Sequence, residues 1–494
     1  MSEKYFIGVD SGSQSTKVSI INDRGAVVCS ATEPLRPTIS RQAGWVEHPE
    51  DDLWDTLKRT LRKLFETFEG NPADILGLGL CSIRCCRVFM KPDGSLARPI
   101  MSWMDVRAYE TFEDEPGIGY TGSTSGYLTF RLTGEMKDTI ANSLQYQFPI
   151  DVHTWQWSED PEHFDSFRIP RRKLLEMKLP GEILGRVTAE AAEATRLPVG
   201  LPVVATANDK AVEALGSGLV EPGAGLLSLG TYIASMVFGS EYWEATDNLF
   251  TNLSCVPHRY LYESVGIRGG MWHLSWLKQI IGGELLVQAE EAGLHVEQLL
   301  EAEAVAVPPG SEGLLIATDW LAPADQLHRK GIMIGFHQRH TRGHIYRALM
   351  EAITMRMKNN FDAMNRELGL SPKKLIVCGG GSNSDLFMQI VADVFGVTAV
   401  RNLINAAAGL GAAICAAVAT GHYGGFEEAV ANMVHQRDEF THVPQTHRIY
   451  SRINEQAYRD LTAMLEDTLK RIHDAYDGIG EPPSAFDSGD TGRG

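Results

Sequence analysis

The chain has 494 residues, 44% hydrophobic and 22% charged, which is the balance of a folded globular protein. Because one core seldom organises so long a chain, we expect two or three domains. The net charge of −18 argues against nucleic acid or an anionic membrane as the main partner, since either needs a basic surface. Seven scattered cysteines without C-x-x-C spacing favour reduced thiols. The first residues show no secretory-signal pattern, so a cytoplasmic protein is expected.

The first elements predict an antiparallel meander. Strands are predicted over Tyr5–Ser11, 17–22 and 26–31, joined by a turn of small polar residues and by the hairpin signal "DRG". An amphipathic helix is predicted after Pro49, followed by a buried strand in "DILGLGLCSI". The chain therefore begins as an α/β domain.

The turn after the first strand has the composition of a phosphate site. Asp10 ends the strand, and Ser11 to Thr16 are almost all small hydrogen-bonding residues. Consecutive backbone N–H groups without bulky side chains can converge on a phosphate. In that case Asp10 is placed to hold magnesium through water, and Lys17 adds a positive charge. An ordinary polar hairpin turn is the alternative, and this stretch alone does not decide between them.

A second half-pattern follows around residue 209. The predicted strand 202–206 leads into Asn208 and Asp209 at the start of a helix, and residues 223–238 repeat the opening order of strand, small-residue turn and strand. Two such hairpins suggest two related domains that face each other. A carboxylate at a strand end can remove a proton from an attacking hydroxyl, so Asp209 is the candidate general base. A helix cap is the alternative.

Two further loops of small residues follow predicted strands. Ser228, Gly230 and Thr231 can donate to another phosphate, and Gly379 to Gly381 lie between a strand and a helix, where absent side chains admit a ring or a phosphate. A tight structural turn is the alternative for the glycines. No Gly-Lys dipeptide occurs in the chain, which excludes a Walker A loop.

The later part of the chain predicts two helices and a tail. The helix beginning at "HIYRALMEAI" carries an apolar stripe and ends at Gly369. The run "AAAGLGAAICAAVA" is too short for a membrane span and predicts a buried helix. Residues 478–494, rich in Gly, Pro, Ser and acidic residues, are expected to be disordered.

Several motifs together carry a family resemblance. In this order and spacing, "GVDSGSQSTK", "WMDVRA", "NDKAVEALGSG", "SLGT", "GFHQRHTRGHIYRALMEAI" and "CGGGSNSDLFMQIVADVFG" resemble the FGGY family of carbohydrate kinases. The resemblance implies two ribonuclease-H-like α/β domains of the actin and hexokinase type, with a nucleotide cleft between them. It places an N-terminal domain over residues 1–245 and a C-terminal domain over residues 246–477. It also implies ATP and Mg²⁺ as cofactors, a sugar or polyol as substrate, and a homodimer.

The same resemblance assigns roles to individual residues. Asp209 matches the catalytic base, and Asp10 and Asp209 match the metal site. The residues expected to contact the nucleotide are Gly12, Ser13, Gln14, Ser15, Lys17, Gly230, Thr231, Gly380, Gly381 and Asn383. The residues expected to contact the acceptor are Arg84, Trp103, Asp105, Asp209 and Lys210.

The acceptor region departs from the named branches of the family. "SIRC" stands where xylulokinases have Gln-Met-His-Gly, and Cys85 replaces the glutamate that follows the equivalent arginine in glycerol kinases. "CSIR" is similar to the Cys-Ser-Met-Arg of autoinducer-2 kinases. The segment after Asp105 is short and adjoins the predicted sugar site, so its effect on specificity is open. If Arg84, Arg87 and Lys210 lie together, an oxidised or carboxylated acceptor is a further hypothesis.

The sequence therefore predicts ATP-dependent phosphorylation of a sugar or polyol hydroxyl, expected to be a terminal one. Three alternatives stay open. One is an autoinducer-2-type kinase. Another is an actin-like or chaperone-like ATPase that uses the same phosphate turns without a small acceptor. The third is a family member that binds a sugar without turning it over.

Overall fold

The structure is a computed structural model and describes residues 3–143, 145–230, 232–321 and 326–476. Thr231 and the tail predicted over 478–494 lie outside the described residues. Among the helices of the described ranges, none combines the length and the hydropathy that crossing a bilayer requires.

The strands and helices alternate along the chain. The strands up to residue 208 are β1 (Tyr5–Ser11), β2 (Ser15–Asn22), β3 (Val27–Pro34), β4 (Ile75–Ser82), β5 (Val88–Met90), β6 (Tyr120–Gly122), β7 (Lys137–Thr139), β8 (Ile150–Asp151), β9 (Gln156–Trp157), β10 (Glu176–Lys178), β11 (Ile183–Arg186) and β12 (Pro202–Asn208). The later strands are β13 (Ala224–Leu229), β14 (Ile233–Gly239), β15 (Leu249–Leu253), β16 (Tyr260–Ser264), β17 (Leu315–Ala317), β18 (Ile332–Ile334), β19 (Lys374–Cys378), β20 (Thr398–Asn402) and β21 (Gln436–Phe440). The helices are α1 (Asp52–Thr67), α2 (Thr124–Thr133), α3 (Pro161–Ser166), α4 (Ala189–Thr195), α5 (Asp209–Gly216), α6 (Trp272–Ile281), α7 (Gly283–Ala292), α8 (Val296–Val305), α9 (Arg342–Leu368), α10 (Asp385–Phe395), α11 (Ala407–Ala419), α12 (Phe426–Met433), α13 (Pro444–Ile453), α14 (Leu461–Met464) and α15 (Glu466–Tyr476).

The first sheet has six strands in the order β11-β12-β4-β1-β2-β3. The predicted meander is confirmed as β1, β2 and β3, which pair antiparallel. The second strand begins at Ser15, two residues earlier than predicted, because Ser15 and Thr16 extend the ladder to Pro34 and Glu33. The turn itself is therefore only residues 12–14. Strands β1, β4 and β12 run parallel, so their carboxyl ends share one edge of the sheet.

The second sheet has seven strands in the order β15-β16-β14-β13-β19-β20-β21. Strands β13 and β14 form an antiparallel hairpin. On its other side β13 pairs parallel with β19, which in turn pairs parallel with β20. This repeats the hairpin and parallel neighbour of the first sheet and confirms the predicted pair of α/β domains. Strands β13 and β14 precede residue 245 yet belong to the second sheet; the domain boundary at residue 245 stays a prediction.

Helix α11, predicted as a buried helix, packs directly on the first sheet. Glycines make this possible, because a Cβ atom on Gly79 would lie 1.9 Å from the Ala412 carbonyl oxygen, and one on Gly8 would lie 1.9 Å from that of Gly409. A Cβ atom on Gly411 of α11 would likewise lie 2.0 Å from the Val212 carbonyl oxygen of α5. A helix from the later half of the chain is thus held against β1, β4 and α5, the elements that carry the candidate site.

Candidate active site

The first group of predicted site residues meets at one edge of the first sheet. Asp10 pairs with Cys81 at the end of β4, and Ser82 pairs with Asn208 at the end of β12. Because β1, β4 and β12 are parallel, Asp10 and Asp209 lie at the same edge of the sheet, where these strands end. Arg84 follows β4 by two residues and lies at the same edge, with its Nε 3.7 Å from an Asp209 carboxylate oxygen.

Asp209 is not the cap of the helix that it begins. The side chain of Asn208 accepts a hydrogen bond from the Ala211 N–H at 3.0 Å and caps α5, which leaves the Asp209 carboxylate beside Arg84. Burial raises the pKa of Asp209 above its ordinary value, while Arg84 and Lys210 oppose the rise. A carboxylate with a raised pKa is a better proton acceptor than an exposed aspartate.

Asp10 lies close to two other carboxylates, those of Asp209 and Glu213. Burial, together with the nearby carboxylates of Asp209 and Glu213, raises its pKa from 3.8 to about 6, against the opposing charges of Lys17 and Lys210. Among the described residues, no group of three or more His, Cys, Asp or Glu side chains is arranged so that it could hold a metal ion. The nearby carboxylates of Asp10 and Asp209 fit magnesium, which one or two carboxylates hold together with phosphate oxygens and water.

The first predicted phosphate turn stands beside Asp10. Lys17 on β2 pairs directly with Asp10 on β1, and the Gly12 N–H donates to the Ser15 carbonyl at 3.0 Å, which closes the turn. The side chains of Ser13 and Gln14 are exposed. The turn is thus a short hairpin that lies next to Asp10, and phosphate binding by it stays a prediction.

The second group of predicted residues lies at the edge of the other sheet. β13 and β19 are parallel neighbours, and Gly379 turns directly against the end of β13. Its φ is +84°, and a Cβ atom there would lie 2.6 Å from the Leu229 carbonyl oxygen. Gly381 packs against Leu229 in a similar way, whereas Gly380 and Asn383 are exposed. The loop after β13 and the glycine loop therefore form one surface.

Lys210 connects the two edges. Its Nζ donates to Glu213 at 2.9 Å and to the Ser228 hydroxyl on β13 at 2.9 Å. Burial lowers the pKa of Lys210, but Glu213 and Asp209 outweigh that effect and raise it. Lys210 therefore remains charged and holds the start of α5 against the second sheet, so the two strand edges face each other.

Arg84 makes a second connection between the sheets, one that the sequence did not predict. Its guanidinium donates to both carboxylate oxygens of Glu263, at 2.8 and 3.0 Å, and to the Asn252 side-chain oxygen at 3.1 Å. Asn252 also donates to Glu263 at 2.9 Å and accepts from Asn208 at 3.2 Å. One sequence signal could have indicated this pairing, namely Glu263 within the apolar strand "YLYES". A buried carboxylate needs a partner of opposite charge.

Two predicted acceptor residues have other contacts. Asp105 is 0% exposed and accepts hydrogen bonds from the Val46 N–H at 2.8 Å and from Arg107 Nε at 2.9 Å. Burial opposes ionisation of Asp105, yet these hydrogen bonds lower its pKa. Trp103 is 45% exposed. Acceptor binding by either residue stays a prediction.

The three cations behind the carboxylated-acceptor hypothesis are already engaged. Arg84 is paired with Glu263 and Lys210 with Glu213. Arg87 donates to a main-chain carbonyl at 2.6 Å and lies over the ring of Phe89. Carboxylates thus compensate Arg84 and Lys210 but not Arg87, and a carboxylated acceptor stays a hypothesis.

Comparison with known proteins identifies the family. The profile of the FGGY family of carbohydrate kinases, N-terminal domain, matches residues 5–115 and 117–216, and that of the C-terminal domain matches residues 225–420. The chain belongs to the FGGY family of carbohydrate kinases. It is 45% identical over 479 residues to the sugar kinase YgcE of Escherichia coli (strain K12), covering 97% of each chain.

Other members of the family match most of its length. A xylulose kinase of Lactococcus lactis is 26% identical over 475 residues, covering 88% of this chain and 91% of its own. The crystal structure of xylulose kinase from Rhodospirillum rubrum superimposes with a TM-score of 0.79 at 26% identity, covering 95% of this chain and 100% of that one. This FGGY kinase is thus a phosphotransferase with an alcohol group as acceptor, and a kinase family implies ATP.

Proposed function

We propose that this FGGY kinase transfers the γ-phosphoryl group of ATP to a terminal hydroxyl of a small sugar, ketose or polyol, with Asp209 as general base. The observation that carries the proposal is the Asp209 carboxylate at a sheet edge that faces a second edge of glycine-rich loops. Asn208 caps α5, and one Asp209 oxygen accepts a hydrogen bond from the Lys210 N–H at 3.0 Å. A carboxylate so placed can accept the hydroxyl proton while the nucleotide's phosphates lie opposite.

The neighbours of Asp209 suit this role. The Arg84 Nε lies 3.7 Å from the carboxylate and would orient Asp209. The Lys210 ammonium, which donates to the Ser228 hydroxyl of the opposite edge, would supply positive charge for the transferring group. Asp10, with Asp209 nearby, would hold magnesium, which when bound neutralises charge on the phosphates. The excess of buried carboxylates around Asp10 supports a cation at this position.

The nucleotide is assigned to the two turns and the glycine loop. The hairpin Gly12 to Ser15 with Lys17 would contact the terminal phosphates from one side, and Gly230 with Thr231 from the other. Gly380, Gly381 and Asn383 would line the adenosine pocket. Closure of the two edges would exclude water and limit ATP hydrolysis. From its family we also propose a cytoplasmic enzyme that forms a homodimer.

The experiment is an acceptor panel with ATP and Mg²⁺, in which ADP and phosphorylated product are both quantified. The panel holds ketoses, alditols, aldonic acids and the linear autoinducer-2 precursor. One phosphorylated acceptor formed in equal amount to ADP supports the proposal. ADP without a phosphorylated acceptor would indicate the ATPase alternative. Acceptor binding with neither product would indicate a sensor.

A further inference from the structure

Glu263 is a fully buried charge in contact with Arg84. It is 0% exposed, and the guanidinium of Arg84 contacts both of its oxygens. The ring of Phe250, which pairs with Glu263 across β15 and β16, lies 5.5 Å from the Arg84 guanidinium carbon. A bidentate arginine–carboxylate pair fixes the guanidinium plane as well as its charge. Glu263 therefore determines which nitrogen of Arg84 faces Asp209.

The same pairing removes the net charge of Arg84. Two of its three nitrogens are committed to Glu263, and Nε faces the Asp209 carboxylate. Around the site, the four carboxylates Asp10, Asp209, Glu213 and Glu263 stand against the cations Lys17, Arg84 and Lys210. A carboxylate on the acceptor would enter this surplus of negative charge, and in a partly buried site that repulsion is weakly screened.

We propose that Glu263 is a specificity-determining residue: by fixing Arg84 and cancelling its charge from the opposite sheet, it makes the site select neutral polyhydroxyl acceptors over their carboxylated analogues. This inference rests on the proposed function and names the class of acceptor. Without Glu263, two nitrogens of Arg84 would have no carboxylate partner, and the guanidinium group is well suited to bind a carboxylate on the acceptor. Glu263 lies on β16 of the second sheet, whereas Asp209 follows β12 of the first. Residues from both halves of the chain therefore set the acceptor class.

The test compares matched acceptors that differ only in one terminal group, an alditol and the aldonate of the same carbon skeleton. Dissociation constants by calorimetry and kcat/KM are measured for the wild type, Glu263→Gln and Glu263→Asp. We expect the wild type to favour the alditol by about tenfold or more. Glu263→Gln keeps the side-chain shape and is expected to shift the alditol-to-aldonate ratio toward the aldonate by about tenfold. Glu263→Asp, which restores the charge, is expected to return the ratio toward that of the wild type.

Two further variants separate charge from general loosening of the sheets. Tyr260→Phe removes a hydrogen bond of 2.9 Å from β16 to the Val152 carbonyl without changing any charge, and its ratio should equal that of the wild type. The double variant Arg84→Gln with Glu263→Gln removes both charges. Its alditol-to-aldonate ratio should therefore not shift toward the aldonate as that of Glu263→Gln does. The KM for ATP should stay within about twofold in Glu263→Gln, which a collapse of the whole cleft would not allow.

Either of two results overturns the inference. One is a folded Glu263→Gln protein with the wild-type ratio of alditol to aldonate. The other, which needs no variant, is a wild type that binds the aldonate as tightly as the alditol. The proposed function fails differently, through a wild type that phosphorylates no acceptor, and the binding ratios still test Glu263 in that case.

Discussion

Replacing Asp10 by asparagine should make the protein more stable and less active at the same time. The carboxylate of Asp10 has its pKa raised from 3.8 to about 6 by burial and by Asp209 and Glu213. Its charged form is therefore disfavoured in the folded state, and an uncharged side chain of the same shape relieves that cost. As the proposed magnesium ligand, however, the same carboxylate is needed for phosphoryl transfer.

The size of the effect follows from the pKa. At about 1.4 kcal/mol per pH unit, a rise from 3.8 to about 6 corresponds to about 3 kcal/mol. Because the folded-state pKa is raised, this cost is absent below about pH 4, grows between pH 4 and 6, and is fully present above pH 6. For a cooperative unit of about 200 residues, 3 kcal/mol corresponds to a rise in Tm of about 6–12 °C.

The assay is thermal unfolding of the wild type and of Asp10→Asn in a chelating buffer, at pH 4 and at pH 7.5. We expect the variant to melt higher at pH 7.5, with most of the difference gone at pH 4. Added Mg²⁺ and nucleotide should stabilise the wild type more than the variant. Equal or lower Tm of metal-free Asp10→Asn at pH 7.5 would refute the account of a charge-crowded site.

Three other substitutions, two of them with a matched control, test separate parts of the structure. Asp209→Ala should lower kcat by about 10²–10⁴-fold and leave ATP affinity, measured by calorimetry, largely unchanged; near-normal turnover would show that another group is the base. Gly379→Ala places a Cβ atom 2.6 Å from a β13 carbonyl oxygen at a φ of +84° and should raise the KM for ATP, whereas Gly369→Ala, at +66° with open space around it, should cost stability only. Gly79→Ala drives a Cβ atom to 1.9 Å from an α11 carbonyl oxygen and should cost more than about 3 kcal/mol; Gly77→Ala on the same strand, which meets side chains at 3.2 Å, should cost clearly less, and equal yields and Tm values would contradict the packing of α11.

The sequence was sufficient for the fold because its signals are local. Strand alternation, the turn after Asp10 and the triple glycine each follow from neighbouring residues, and the buried helix α11 follows from its run of small side chains. Asp209 was identified for the same reason, as a carboxylate at the end of an apolar strand.

The pairing across the two sheets was not predictable in this way. Arg84 and Glu263 are far apart in the chain, and only the facing of the two sheet edges brings them together. The sequence therefore suggested a group formed by Arg84, Arg87 and Lys210, whereas the structure pairs Arg84 with Glu263 and Lys210 with Glu213. The contacts of Asp105 with Arg107 and Val46 were likewise not predictable from its motif, and its role in acceptor binding stays a prediction.

The most direct test of the account is a crystal structure of the protein with a non-hydrolysable ATP analogue, Mg²⁺ and the best acceptor of the panel. The account predicts the reactive hydroxyl oxygen within about 2.6–3.2 Å of an Asp209 carboxylate oxygen, with the γ-phosphate between the two sheet edges. An acceptor hydroxyl bound away from Asp209, or a nucleotide bound outside the space between Asp10 and Gly230, would contradict it.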